Sequence, residues 1–312
     1  MNVRCFNRQF PLSYPPLRPL TPPARGETHL WYVSPNEVDS SSLLNQYTQL
    51  LSPSEKQSVL SFKEDGLRKK ALLARALVRT ILARYHPNSY VDPRSLKFKR
   101  NSYGKPEVDW QDAPDRSWPP LHFNLSHTSS MIACGITTYS PIGIDVENKN
   151  RTLKNEIIPF ARRFFSLNEV EYLARILDPE MQRQEFIKMW TLKEAYVKAL
   201  GTGFSATPFN TFEIHFQASS ETMSNTLEIV DLKESEIAVE STQFPNGQWQ
   251  LALLELADTH YAAICTKNDS SIEENVSSLG LRVWKTIPLL EDVYMSGTDS
   301  VVTVCGFVKQ LT

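Results

Sequence analysis

Pro141-Ile142-Gly143-Ile144-Asp145-Val146-Glu147 alternates apolar and polar side chains with the period of two that a β-strand requires. Ile142, Ile144 and Val146 point to one face, and Asp145 and Glu147 to the other. Two carboxylates on one strand face, with no basic residue between them, repel each other unless a cation sits there. Hard oxygen ligands at this spacing suit Mg2+, which takes one or two carboxylates and fills its other positions with water and substrate phosphates. Taken alone, a D-x-E strand is more often a solvated polar face, so the neighbouring sequence has to decide.

Downstream, Trp190-Thr191-Leu192-Lys193-Glu194-Ala195-Tyr196-Val197-Lys198 has helical spacing that lines up Phe186, Trp190, Glu194 and Lys198. The plain alternative is a surface pair of Glu194 and Lys198, worth about 0.3–0.5 kcal/mol. The functional one makes Glu194 a further metal ligand or a base and Lys198 a phosphate partner, with the aromatics excluding water. Upstream, Phe123-Asn124-Leu125-Ser126-His127 runs into Thr128, Ser129 and Ser130, several donors at a turn where an anion could sit. A lone histidine is more often structural. Arg100-Asn101-Ser102-Tyr103-Gly104-Lys105-Pro106 presents two bases around a glycine turn, either a phosphate clamp or a solvated loop. Gly201-Thr202-Gly203-Phe204-Ser205-Ala206 has the outline of a dinucleotide fingerprint. It follows a helix and precedes Thr207-Pro208, so it reads as a helix C-cap and tight turn.

The surrounding periodicity predicts strands over 29–33, 95–99, 121–125, 131–136, 142–146, 212–216, 249–254 and 261–266. Helices are expected from Ser52-Pro53-Ser54-Glu55 onward and over 65–85, 155–164, 167–177 and 180–200, with a Pro/Asp-rich loop over 110–120. The fold class is α+β. Two mixed halves, 29–140 and 141–267, join near Ser140-Pro141, and the second carries the metal and catalytic candidates. Residues 268–312 form a tail with no assigned role, although 301–308 is apolar enough for a strand.

Lys and Arg total 33 against 35 Asp and Glu, a formal charge of -2, which argues against a general nucleic-acid binder. Only 11 glycines are present, little material for phosphate-cradling loops. Cys5, Cys134, Cys265 and Cys305 lie far apart and the six histidines are scattered, which speaks against a disulfide framework or a zinc site and for a reducing compartment. No apolar run approaches the roughly 18 residues that span a bilayer, so no membrane partner is expected. Residues 1–28 form a leader. Arg4, Arg8, Arg18 and Arg25 precede the first acid, Glu27, as in an organelle transit peptide, and the six prolines from Pro11 onward exclude a long helix. The expected location is the cytosol or the mitochondrial matrix.

In this order and at these separations, the four stretches resemble the surfactin-type 4′-phosphopantetheinyl transferases (holo-acyl-carrier-protein synthases). Phe164-Phe165-Ser166 with Glu169, and Gly201 with Gly203, fit the same pattern, and the likeness covers residues 29–267. It implies a pseudo-twofold pair of similar α/β subdomains with coenzyme A as co-substrate in the cleft between them. It implies transfer of phosphopantetheine to a serine of an apo acyl or peptidyl carrier protein, with release of 3′,5′-ADP. A monomer is implied, because the two halves complete the cleft. By position, Asp145, Glu147 and Glu194 would hold Mg2+, with Mn2+ as the alternative. Ser126 and His127 would meet the 3′-phosphate region with Arg100 and Lys105 nearby, and Gly104 would let the backbone approach the nucleotide. Asn124, Asp145 and Lys193 complete the expected coenzyme A contacts. Glu194 and Lys198 are the expected catalytic pair, one as base toward the acceptor serine and one on the departing phosphate.

One departure stands out: the family's basic contact four residues before Phe62 is Ser58 here, with Lys56 and Lys63 as substitutes and Arg75 and Arg79 kept on the next helix. Acidic carriers would dock on Arg162, Arg163 and Arg175. Two other classes compete. One is a coenzyme A-binding module without transfer activity, for which a three-acid site would be superfluous. The other is a Mg2+-dependent hydrolase of nucleotide pyrophosphates.

Overall fold

In the computed structural model, which describes residues 17–87, 91–109, 119–153, 155–218, 235–241, 249–267, 280–298 and 300–305, the chain repeats one connectivity twice. The first half contains β1 (Glu27–Val33), α1 (Ser41–Leu50), α2 (Pro53–Leu60), α3 (Asp65–Arg84), the hairpin β2 (Lys97–Arg100) and β3 (Pro106–Asp109), then β4 (Leu121–His127) and β5 (Ile132–Thr138). The second contains β6 (Ile142–Asn148), α4 (Ile157–Phe164), α5 (Leu167–Ala174), α6 (Pro179–Leu200), the hairpin β7 (Phe212–Ala218) and β8 (Ser235–Ser241), then β9 (Trp249–Leu256) and β10 (His260–Lys267). Stripped of insertions, each half is strand, long helix, strand, strand. The sheets run β1-β5-β4 and β6-β10-β9, all antiparallel, so the last strand lies in the middle each time. This is the α+β pair of similar subdomains that the resemblance implies.

Local chemistry sets the helix ends. Ser52 accepts from the Glu55 N–H while the Glu55 carboxylate accepts from the Ser52 N–H, and Pro53 pre-sets the first turn. Ser166 and Glu169 repeat the device at α5. Helix α6 starts on the Asp178 side chain and stops at Gly201, whose φ of 69° is the left-handed cap the sequence predicts.

Strand alternation builds the layers. Trp31, Ile132, Cys134 and Ile136 face α3, while Leu30, Tyr32, Met131 and Ala133 meet Ile142, Ile144 and Val146 of the second sheet. Leu251, Leu253 and Ala263 on the far face pack under α6. Each aliphatic side chain buried this way contributes about 1.5–3 kcal/mol relative to exposure. The sheets touch closely at Gly135, where a Cβ would lie 2.7 Å from Ile144 Cγ2. The order is helix, sheet, sheet, helix.

The C-terminal segment belongs to both halves. Strand β11 (Gly280–Ile287) pairs parallel with β1, β12 (Glu291–Tyr294) pairs with β11, and β13 (Val301–Cys305) pairs with β9. Trp284 stacks on Trp31 at 4.4 Å between ring centroids. The full sheets are therefore β12-β11-β1-β5-β4 and β13-β9-β10-β6. At the other end, residues 17–26 already dock: Leu20 N–H donates to the Arg84 carbonyl at 2.8 Å, and Thr138 Oγ1 to the Pro23 carbonyl at 3.0 Å. Arg4 and Arg8 of the expected leader, the loop over 110–118, and residues 306–308 of the expected last strand lie outside the described residues.

Candidate active site

Gly143 explains why β6 and α6 can share a site. A Cβ there would stand 2.0 Å from the Ala195 carbonyl oxygen and 2.2 Å from the Ala199 nitrogen, so the helix backbone lies directly on the strand. That contact brings the Asp145 and Glu147 face of β6 to Glu194 and Lys198 on α6. Lys198 Nζ reaches Asp145 Oδ1 at 2.6 Å, and Asp145 is only 5 % exposed. Glu147 pairs with Arg151, whose guanidinium lies over the Trp190 ring at 5.6 Å from its centroid. Phe160, Phe164, Phe165, Phe186 and Phe209 surround that indole. The aromatic face of α6 thus shields one wall of the site.

The three carboxylates sense one another. Burial pushes Glu147 up to about 7; Asp145 and Glu194 act in the same direction, while Arg151 and Lys198 oppose it. Glu194 is raised too, mainly by burial and further by Asp145, with Lys198 opposing. Asp145 Oδ1 accepts from Ser126 Oγ at 2.8 Å as well as from Lys198, but its Oδ2 is buried without a hydrogen-bond partner. An unpaired buried acceptor costs about 1–3 kcal/mol, more when charged. Among the described residues no three His, Cys, Asp or Glu groups form a ready cage for a metal ion. The unpartnered Asp145 Oδ2 suits a hard divalent cation that takes one or two carboxylates and completes its shell with water and phosphate oxygens.

Comparison with known proteins bears directly on this constellation. The family profile described as the 4′-phosphopantetheinyl transferase superfamily matches residues 141–265, and the one described as 4′-phosphopantetheinyl transferase, N-terminal, matches residues 38–137. The chain is 32% identical over 179 residues to 4′-phosphopantetheinyl transferase Sfp of Bacillus subtilis (strain 168), covering 56% of this chain and 71% of that one. The chain belongs to the 4′-phosphopantetheinyl transferase family. The transferase is also 30% identical over 180 residues to 4′-phosphopantetheinyl transferase gsp of Aneurinibacillus migulanus, covering 58% of this chain and 68% of the relative. Against the solved structure of Thermotoga maritima holo-[acyl-carrier-protein] synthase the TM-score is 0.27 at 23% identity, over 41% of this chain and 63% of that one.

The transferase gathers Asp145, Glu147, Glu194 and Lys198 at one place, and it distributes the other expected contacts differently. Lys193 is fully buried, and its ammonium is spent on Glu169 Oε1 at 2.8 Å and on the carbonyls of Phe209 and Phe212 at 2.8 and 2.7 Å. No donor remains for a nucleotide, so the expected coenzyme A contact is corrected to a structural ion pair. Lys105 Nζ donates to the carbonyls of Ile142 and Lys198, and Asn124 Oδ1 accepts from the Ile144 N–H. Arg100 donates to the Gly104 carbonyl across their own turn at 2.8 Å, and Gly104 takes φ +88° with open space around it. His127 is exposed, its pKa lowered by partial burial and then by Lys198 and Lys70.

Two residues of interest escape the sequence patterns. Lys70 on α3 lies within electrostatic reach of His127. Arg75 donates to Ser58 Oγ at 3.0 Å, and Arg79, 2% exposed, binds Glu55 and the carbonyls of Pro93 and Leu96. Arg151 sits four residues after Glu147, but the strand ends between them, so neither strand nor helix spacing flags the pair. A groove of about 430 Å³ lined by Ile157, Ile158, Pro159, Gln182 and Arg183 lies behind the Arg151 loop, and none of the four site residues lines it.

Proposed function

We propose that the transferase moves the 4′-phosphopantetheine group of coenzyme A to a serine hydroxyl of an apo acyl or peptidyl carrier protein, releasing 3′,5′-ADP, with Mg2+ as its ion. The observation that carries this reading is the Lys198–Asp145 pair, which sets an ammonium beside a carboxylate oxygen that lacks a partner. A pyrophosphate needs cations on both sides of its bridging oxygen. A divalent ion at Asp145, with Glu147 and Glu194 at hand, would supply Lewis-acid charge there.

The chain's own residues do the rest. Lys198, whose ammonium donates to Asp145 and Ser126 and has a third N–H for a phosphate oxygen, stabilises the charge that grows on 3′,5′-ADP as its phosphorus–oxygen bond breaks. Glu194, its proton affinity raised by burial, is suited to accept the proton of the serine as that oxygen bonds to the transferred phosphorus. Lys70 offers positive charge to the 3′-phosphate and His127, its pKa lowered, a neutral ring N–H, and the aromatic wall around Trp190 excludes water that would compete with the serine. The working unit is taken to be a monomer, since both sheets of the cleft come from one chain.

Intact-mass measurement of an apo carrier protein incubated with the transferase, coenzyme A and Mg2+ tests the reading. A gain of one phosphopantetheine group is expected. Release of 3′,5′-ADP without a carrier would make the protein a hydrolase, and retention of intact coenzyme A with neither reaction would make it a binding module. Placement in the cytosol or the mitochondrial matrix is tested separately by fusing residues 1–30 to a fluorescent protein.

A further inference from the structure

Strand β6 ends the second sheet and β4 ends the first, and the two edges face each other without sharing a backbone ladder. An open edge leaves N–H and C=O groups that must be paired. On β6 the outward groups at Ile142, Ile144 and Val146 are met by side chains of the other half. Lys105 Nζ donates to the Ile142 carbonyl at 2.8 Å, Asn124 Oδ1 accepts from the Ile144 N–H at 2.8 Å, and Ser126 Oγ accepts from the Val146 N–H at 3.2 Å. Asn124 and Ser126 are two apart on β4, so the strand's own period reads the edge of β6.

Ser126 does more than close this seam. Its hydroxyl donates to Asp145 Oδ1 at 2.8 Å and accepts from Lys198 Nζ at 3.1 Å in addition to the Val146 N–H. One donor and two lone pairs are thereby used, at a residue 5% exposed. Nothing remains for a phosphate oxygen, contrary to the contact the resemblance implies.

We infer that Ser126 is a positioning residue for Asp145: it holds Oδ1, together with Lys198, so that Oδ2 is the oxygen left without a protein partner and kept for a divalent cation. The inference rests on the proposed function, in which Asp145 is a cation ligand. Asn124 and Lys105 act with it by fixing the strand on which Asp145 rides. Outer partners of metal ligands commonly set affinity in this way.

The test uses the full chain with coenzyme A and reads Mn2+ binding by electron paramagnetic resonance beside steady-state kinetics. Ser126→Ala is expected to weaken Mn2+ about 10–100-fold and to lower kcat comparably. KM for coenzyme A should stay within about twofold, because no nucleotide contact is lost. Ser126→Thr keeps the hydroxyl and should restore Mn2+ affinity to within about threefold of wild type. If the alanine variant does not fold, Ser126→Cys, similar in size but a weak donor, is expected to show the same loss. Unchanged Mn2+ affinity in Ser126→Ala, with KM for coenzyme A raised about tenfold or more, would make Ser126 a nucleotide contact and overturn the inference. A wild-type protein that neither binds Mn2+ nor modifies a carrier would overturn the functional reading and this inference together. Normal wild-type transfer with no Mn2+ effect in the variant overturns this inference alone.

Discussion

Lys105 Nζ donates at 2.7 Å to the main-chain carbonyl of Lys198, and the two lysines belong to opposite halves of the chain. The last carbonyls of a helix have no partner within it, and a cation at that end is favoured by the helix dipole. Asn101, on the same turn, donates from Nδ2 to the Gly201 carbonyl at 2.9 Å. The turn that reads as a nucleotide clamp is therefore the C-terminal brace of the helix that carries Glu194 and Lys198. Burial lowers the Lys105 ammonium to about 8, so it remains largely protonated at neutral pH.

Replacing Lys105 by Met leaves the carbonyls of Ile142 and Lys198 without this donor. Urea unfolding should show a loss of about 1–3 kcal/mol. An unfolding midpoint equal to that of wild type would mean that the brace is dispensable.

Chemistry and binding should separate in the site. Asp145→Ala and Glu194→Gln are expected to abolish metal-dependent transfer in the carrier mass assay. Lys198→Ala should lower kcat about 10²–10³-fold while KM for coenzyme A moves far less. Full activity of Asp145→Ala after chelation would remove the carboxylate from the mechanism.

Lys193→Met should act on folding. It strands Glu169 in the core beneath α6, and breaking a buried pair from one side costs about 3–5 kcal/mol. The double variant with Glu169→Gln should recover part of that loss in thermal melts. The folded enzyme should keep the wild-type KM for coenzyme A; a tenfold rise would return Lys193 to the binding site.

Legibility followed the range of the interactions. The alternation of β6, the Ser52 helix start and the Gly201 stop were all readable, because each depends on side chains within a few positions. Glu194 and Lys198 were readable because helical spacing puts them one turn apart. Lys193 was expected as a coenzyme A contact from the resemblance alone, since its partner Glu169 sits on another helix and leaves no mark on the local pattern. Ser126 and Asn124 resembled ligand donors for a similar reason: the groups they satisfy are backbone atoms of β6, which no side-chain pattern announces. Strand β11 was missed because its partner β1 lies at the opposite end of the sequence.

Acid should weaken the fold through His260. Its ring lies between Thr128, Ser130 and Thr259, and its pKa is lowered to about 4 by burial first and Lys149 second. The unfolded chain takes up this proton near pH 6.5. Stability from this group is thus complete above 6.5 and drains away as the pH falls toward 4, by at most about 3 kcal/mol. His29 is shifted in the same direction, chiefly by burial. His260→Asn should flatten the fall in melting temperature between pH 7 and 4.5; an unchanged slope would acquit the residue.

Trp284→Ala should destabilise the first half by removing the ring stacked on Trp31. Because Trp284 is only partly buried, the loss should fall at or below the roughly 3–5 kcal/mol typical of a large aromatic truncated in a core. Chemical denaturation followed by circular dichroism measures it, and a loss below about 0.5 kcal/mol would show that the stacked ring does little to hold β11.

The parallel pairing of β1 with β11 has a consequence for how the protein is made. Thr28 lies opposite Leu281, and Glu37 meets Lys285 across 248 positions of sequence. A ribosome that has released the first subdomain still holds the strand that will cover it. Through most of translation β1 waits with a bare, apolar flank, and contacts this distant in sequence form slowly. The nascent first half is therefore the species most exposed to mispairing until β11 is available to cover β1.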